Sequence, residues 1–441
     1  SPSPQGMFPL FVLPFLFLSI NCQQGTDRWI NEGNARKVEG KANAETLVFV
    51  QMLWRHGDRT PTLTIPTDKD NQEESWVEGM GELTREGMGQ QMRLGKWLRK
   101  RYGLFVGKKW DRKAMYFRSS DYNRTLMSAQ ANVAGFFPPS EDEIFDPTLP
   151  WRPIPVHTVP REIDRQLYEE ISCPVAEKEK LRIYAESPIV HDLEKKNEAL
   201  LKYLGEKSGI GKMRLNDIYL VHDPLFVEKC HNSTHKWPSW MNESLFEEVV
   251  RVYDDASRFA FHTHMLRRLR GGPLVHEVLD RFADKSKGDM KDMKMYAYSA
   301  HDTTLAAILA TFGIFPQRFP LYATAIMMEM HKRDGQYYIE MYHKNETDKD
   351  DVYEHEMEGC PKPCTLNNLK KAMAEYEPED WQYECGLPGH DVTRYVVAIF
   401  ILALTSIFFG TVIAVDVLLK WRKRRRNGDE EGLLNADNSD V

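Results

Sequence analysis

Two arginines, a histidine and an aspartate stand close together in Arg55-His56-Gly57-Asp58-Arg59, followed by Thr60-Pro61. A guanidinium fork matches phosphate oxygens two at a time, and an imidazole between two such forks suits attack on an anionic group. The preceding residues 46–54, TLVFVQMLW, are β-branched and apolar and read as a buried strand. A strand emptying into this loop puts cationic donors at the carboxyl end of a sheet, where ligands bind in open α/β folds. Gly57 would let the backbone approach that ligand. A solvated basic turn is the plainer reading of the loop taken alone.

Two more junctions of the same kind weigh against the plain reading. Residues 293–298 (MKMYAY) read as a strand, then Ser299-Ala300-His301-Asp302-Thr303-Thr304 leads into an apolar helical pattern over 305–312. Residues 113–117 (KAMYF) read as a third strand, running into Arg118-Ser119-Ser120-Asp121-Tyr122-Asn123-Arg124-Thr125 and a helix-forming stretch over 126–137. Each junction delivers Arg or His near a helix N-terminus, which already favours anions.

RHGDRTP at 55–61, RSSDYNRTLMSA at 118–129 and SAHDTT at 299–304 together resemble the histidine acid phosphatase family, in particular its membrane-anchored lysosomal and prostatic type. The likeness covers residues 46–385, including WRPIPVHTVP at 151–160. It implies His56 as nucleophile, Asp302 as proton donor to the leaving group, and Arg55, Arg59, Arg124 and His301 as phosphate-binding groups. The chemistry agrees with these roles: a neutral imidazole can attack phosphorus, and the phosphohistidine formed can be hydrolysed by water. Neighbouring arginines should depress the pKa of His56 and keep it neutral in acid. Position along the strand slightly favours Arg118 over Arg124, whereas the family motif matches Arg124. Asn123 stands where relatives usually carry Asp, and it creates a sequon expected to bear little glycan so close to the pocket. Asp58 could partner the loop arginines or simply cap the turn.

The fold expected is α/β: a central mixed, mostly parallel sheet flanked by helices, with an inserted, mostly helical cap over about 138–272. Prolines crowd the start of that insertion, and helix-like stretches follow at 189–204 and 243–269, with one strand-like run at 217–221. Residues 83–102 carry apolar groups at helical spacing. Runs at 325–331 and 336–343 flank Arg333-Asp334-Gly335 and read as a hairpin.

The net charge of −7 and pI near 6.1 argue against a nucleic-acid surface. Thirteen mostly apolar residues at 8–20 read as the core of a signal peptide spanning 1–24. The luminal domain is expected over 45–386 and a linker over 387–394. The uncharged run 395–415 reads as a transmembrane helix extending to 419. Lys420 to Arg426 is strongly basic and by the positive-inside rule begins a cytoplasmic tail, 420–441. The chain is then a single-pass type I membrane protein of the lysosome, endosome or cell surface. In the tail, Asp429 with Leu433 and Leu434 fits an acidic dileucine sorting signal read by adaptors in extended form. Sequons at Asn232, Asn242 and Asn345 suit a luminal domain. With Cys22 set aside in the signal, five cysteines remain. The resemblance implies Cys173–Cys385 and Cys360–Cys364 disulfides. The positions of a third family bridge read Val227 and Ala325, which leaves Cys230 as a free thiol.

No cofactor motif is present: Walker, dinucleotide and GxSxG patterns are all missing from the sequence. His231/His235 and His262/His264 have metal-compatible spacing but no accompanying carboxylate or Cys set, so no metal is expected. The leading reading is a metal-independent acid phosphatase for phosphate monoesters, with a homodimer left open by the resemblance. A phytase-like inositol polyphosphate phosphatase and a non-catalytic receptor ectodomain of the same fold are the alternatives.

Overall fold

The computed structural model describes residues 35–436 except 169, 315–317, 346–348 and 389. The expected signal peptide, Cys22 and the last five residues lie outside the described residues. Among the described residues, those up to Trp381 form one compact unit and those from Gln382 onward another.

In the first unit the described strands are β1 (Ala35–Val38), β2 (Leu47–Arg55), β3 (Met115–Ser119), β4 (His157–Thr158), β5 (Met295–Ala300), β6 (Ala325–Arg333), β7 (Gln336–Lys344) and β8 (Val352–His355). They join in the order β1-β8-β7-β6-β2-β5-β3-β4. The sheet is mixed, as expected, but its parallel majority is not found. β2, β5, β3 and β4 pair in parallel, while the four other contacts, from β2 through β6, β7 and β8 to β1, are antiparallel. A tight hairpin explains much of that half. Asp334 and Gly335 both have positive φ, so two residues suffice to return β6 into β7.

Helices cover both faces. α1 (Arg85–Val106) and α2 (Asn123–Phe136) lie over one, burying Leu94, Leu98, Tyr102, Val133 and Phe136 against Met52, Trp54, Phe117 and Met295. Thr84 caps α1, its side chain accepting from Gly87 N.

The cap is helical, as expected, but begins later. His157 and Thr158 extend the sheet instead, and the helices are α3 (Pro174–Glu186), α4 (Pro188–Lys196), α5 (Glu198–Ser208), α6 (Tyr219–Cys230) and α7 (Glu243–Ser257). The strand-like run at 217–221 is helical: it straddles a 3₁₀ turn, Leu215–Asp217, and the start of α6. Its apolar residues 218–221 are consecutive, and the two that are buried, Ile218 and Val221, lie three apart, a helical spacing that so short a run does not reveal. Beyond the cap, the one-turn α8 (His264–Leu266) passes through a π-helical segment into α9 (Gly272–Lys287). α9, α10 (Asp302–Thr311) and α11 (Leu366–Met373) pack on the second sheet face through Val278, Phe282, Leu305, Ile308 and Leu369.

Cys360 and Cys364 form a disulfide. Cys173, Cys230 and Cys385 are also disulfide-bonded, so Cys230 is not the free thiol expected. The odd count that singled it out came from setting Cys22 aside. In the second unit one helix runs His390–Ala436, and Arg394–Arg426 is long and apolar enough to cross a membrane. The helix includes most of the expected linker and continues through Asp429, Leu433 and Leu434.

Candidate active site

The parallel pairing explains why the three junctions meet. Arg55 lies beside Ala300, and Ser119 beside Ser299, so β2, β5 and β3 end at one level. His56 N donates to Ala300 O at 2.9 Å and Ser120 N to Ser299 O at 3.0 Å, which carries the register into the loops. The first loop is held from below by helix side chains. Gln91 Nε2 donates to Arg55 O, Ser128 Oγ accepts from Gly57 N, and Gln90 Oε1 accepts from Asp58 N. Gly57 is required by this packing. A Cβ there would sit 2.2 Å from Gly87 O, so only glycine lets the loop abut the start of α1.

His56 is 2% exposed and lines a cavity of about 1100 Å³ with Arg55, Arg59, Arg124, His301 and Asp302. Its Nδ1 lies 2.8 Å from Gly57 O. A carbonyl only accepts, so Nδ1 carries the proton and Nε2 the lone pair. The pKa of His56 is held well below the usual histidine value, first by burial and then by Arg124, Arg55, His301 and Arg59. The arginines act in the expected direction, but desolvation is the larger cause.

The guanidinium groups share a pattern. Arg55 Nη1 donates to Pro320 O at 2.7 Å, Nη2 lies 2.9 Å from Asp302 Oδ2, and its Cζ stacks 4.3 Å from the Tyr322 ring centroid. Arg59 reaches Asp223 and Thr60 O through Nη1 and Nη2. Arg124 contacts Gly81 O and His301 Nδ1, both at 3.4 Å. In all three, Nε is buried without a hydrogen-bond partner. Nε is likewise unpartnered in Arg118 and Arg267, so what fits a bound oxyanion is the gathering of three buried guanidiniums around one histidine in the same cavity.

His301 stands at the N-cap position of α10 without a side-chain capping bond, and Asp302 is the helix's first residue. His301 Nε2 sits 2.9 Å from Ser120 Oγ, which hydrogen-bonds onward to Thr125. Burial, then Arg124, Arg55 and Arg59, hold its pKa well below the usual value. Asp302 Oδ1 accepts from Thr303 N, which fixes the carboxylate whose Oδ2 meets Arg55.

Arg118 and Arg124 are clearly separated. Arg118 turns to Asp164 at 2.5 Å and Glu277 at 3.6 Å, whereas Arg124 lines the cavity, its Cζ 4.4 Å from the Tyr122 ring centroid. Asp58 partners neither loop arginine. Its Oδ2 accepts from Thr84 Oγ1 and meets His231 Nε2 at 2.8 Å. His235 stacks on Trp76, and His264 faces Glu375, so the paired histidines are engaged individually. Another group, Glu329, His331 and Glu340, has metal-like spacing, yet Arg101 and Arg333 already neutralise its carboxylates. Asn123 is exposed on the first turn of α2, and the Nδ2 that would carry a glycan donates to Glu82.

Sequence reasoning missed Asp223, Tyr322, Ser120 and the cap aromatics. His222, 3.8 Å from the Tyr253 ring in a parallel stack, lines the cavity with Phe226 and Phe319. Nothing local in the sequence singles these residues out.

Residues 46–344 match the model of the histidine phosphatase superfamily (branch 2). The chain belongs to this superfamily. Among similar superfamily members, "Putative acid phosphatase 5" of Caenorhabditis elegans is 45% identical, with 93% of this chain and 97% of the relative covered. Human lysosomal acid phosphatase is 34% identical over 86% of this chain and 89% of its own. The solved structure of Hafnia alvei phytase in complex with tartrate is similar at TM-score 0.59 and 16% identity, covering 77% of this chain and 98% of the phytase. At that identity the likeness to the phytase concerns the histidine phosphatase fold alone.

Proposed function

We propose that this protein is a metal-independent acid phosphatase that hydrolyses phosphate monoesters through a phosphohistidine at His56. The observation that carries the reading is a buried imidazole with its proton tied at Nδ1, among three guanidiniums that line the same cavity. The acid phosphatases among its relatives support the same reaction class.

The ester's phosphate oxygens take the N–H groups of Arg55, Arg59 and Arg124, with His301 beside them. His56 Nε2 attacks phosphorus as the P–O bond to the leaving group breaks, and Asp302, protonated, gives its proton to the departing alkoxide. Water then attacks the phosphohistidine, Asp302 accepts a proton from it, and the N–P bond breaks to release phosphate. Charge neutralisation by fixed guanidiniums supplies the electrostatic stabilisation. The test is rapid acid-base quench with labelled substrate: a base-stable, acid-labile phosphoryl group mapped to the His56 peptide is expected, and turnover without it overturns the route. Running nitrophenyl phosphate beside inositol hexakisphosphate, each with EDTA, tests the substrate class and metal independence together.

The acid limb of kcat/KM belongs to His56, because only the neutral ring attacks. Its lowered pKa predicts activity persisting well below pH 6.5. Arg124 is the largest charge contribution, so Arg124→Met should move that limb to higher pH as well as lower the rate. A pH profile with an unmoved limb would contradict the assignment. Stability has the corresponding sign. Buried neutral His56, His301 and His222, the last with its pKa lowered to about 4, bind fewer protons folded than unfolded, so stability falls as pH drops below about 6.5.

The same reading makes the chain a single-pass type I protein of lysosomal or endosomal membranes, anchored by the apolar helix. The catalytic unit is luminal, glycosylated at Asn232, Asn242 and Asn345, with Cys173 paired to Cys385. Asp429, Leu433 and Leu434 act as the sorting signal once released from helix. A Leu433→Ala, Leu434→Ala variant should accumulate at the cell surface; surface labelling equal to wild type would refute the signal.

A further inference from the structure

We propose that Asp223, on the cap helix α6, is a positioning residue that presents Arg59 to the phosphate, so that the cap forms part of the anion site. The inference rests on the reading of Arg59 as a phosphate-binding group. Asp223 is 5% exposed, and its carboxylate meets the far end of the guanidinium: Oδ1 lies 2.6 Å from Nη2 and Oδ2 lies 3.3 Å from Nη1. The second Nη1 hydrogen goes to Thr60 O at 3.0 Å.

A guanidinium has two useful edges, the Nη1/Nη2 end and the Nε/Nη2 side. With the end taken by Asp223, the side remains, and its Nε is the buried nitrogen without a partner. Asp223 thus selects which edge of Arg59 faces the substrate and fixes the plane of the fork.

The carboxylate is itself fixed from the catalytic loop. Its Oδ2 accepts from Thr62 N at 3.0 Å and from Thr62 Oγ1 at 2.9 Å, and the same hydroxyl lies 2.7 Å from Tyr219 OH, one turn earlier on α6. Burial would raise the pKa of Asp223, but Arg59 and the Thr62 donors outweigh it and hold the group ionised. An amide cannot replace this carboxylate. Both oxygens face donors, so Asn must point its NH₂ group either at Arg59 or at Thr62, leaving donor against donor.

The experiment uses the detergent-solubilised full chain and compares Arg59→Ala, Asp223→Asn and the double variant by the inhibition constant of inorganic phosphate and by kcat and KM. Asp223→Asn should weaken phosphate binding roughly tenfold or more, with KM rising more than kcat falls. In the Arg59→Ala background the same substitution should add nothing, since there is no longer a fork to orient. An unchanged inhibition constant in Asp223→Asn, or a further weakening in the double variant equal to that in wild type, overturns the inference. An unchanged constant in Arg59→Ala instead overturns the phosphate-site reading beneath it. If Asp223→Asn alone fails to accumulate, the double variant, which removes both members of the buried pair, decides: phosphate binding equal to Arg59→Ala supports positioning, and weaker binding refutes it.

Discussion

His56→Ala is expected to abolish turnover while phosphate still binds. Losing the nucleophile should cost on the order of four to six powers of ten in kcat, the scale seen when a covalent catalyst is removed. The guanidinium set should survive, because Arg55, Arg59 and Arg124 are held by Pro320 O, Asp302, Asp223, Thr60 O and Gly81 O, none of which is His56. The inhibition constant of inorganic phosphate should therefore stay within about tenfold of wild type. The backbone contacts of residue 56, N to Ala300 O and O from Ala323 N, do not depend on the side chain. Acid unfolding gives a second check. His56 is buried neutral and must gain a proton in unfolded chains below about pH 6.5, so its removal should lessen the loss of stability in acid. Residual activity within about tenfold of wild type, in a protein that binds phosphate, would rule His56 out as nucleophile.

Asp302→Asn should divide substrates by their leaving groups. General acid catalysis contributes roughly two to four powers of ten where the departing oxygen needs a proton. Alkyl phosphates should lose about that much in kcat/KM, and an activated aryl ester about tenfold or less. kcat/KM is the right measure because it ends with the first irreversible step, transfer of the phosphoryl group from the ester. Asp302 also partners Arg55, so a positional effect has to be separated. Asn keeps an oxygen that can accept from Arg55 Nη2, and a purely positional defect would lower both substrates equally and weaken phosphate binding. Equal losses for alkyl and aryl esters would remove Asp302 as proton donor.

Much of the site was legible because its groups lie at the ends of strands that the chain itself announces. Arg55 ends a strand of nine residues with His56 and Arg59 just beyond it, and His301 and Asp302 follow another strand. Each group needed only its own local pattern to be recognised. Sheet direction was less legible. The antiparallel half depends on a two-residue turn at Asp334-Gly335 and on the pairing of β8 with β1, separated by most of the chain. Local alternation fixes which residues face inward but not which strand lies beside which.

Sequence by itself determined three strand-to-loop junctions bearing Arg and His, the apolar C-terminal helix, and the residue types able to bind and attack a phosphate. It did so because strand pattern, loop chemistry and helix apolarity are all properties of short stretches. Tertiary structure supplied the physical separation of Arg118 from Arg124, between which the family motif had favoured Arg124. Strand geometry turns Arg118 toward Asp164 and Glu277, while the start of α2 aims Arg124 at His301. It also brought Asp223 to Arg59 across 164 residues and carried Tyr322 over Arg55. Such pairs arise from packing the cap and the β6 entry onto the sheet, and no pattern within either segment encodes its partner.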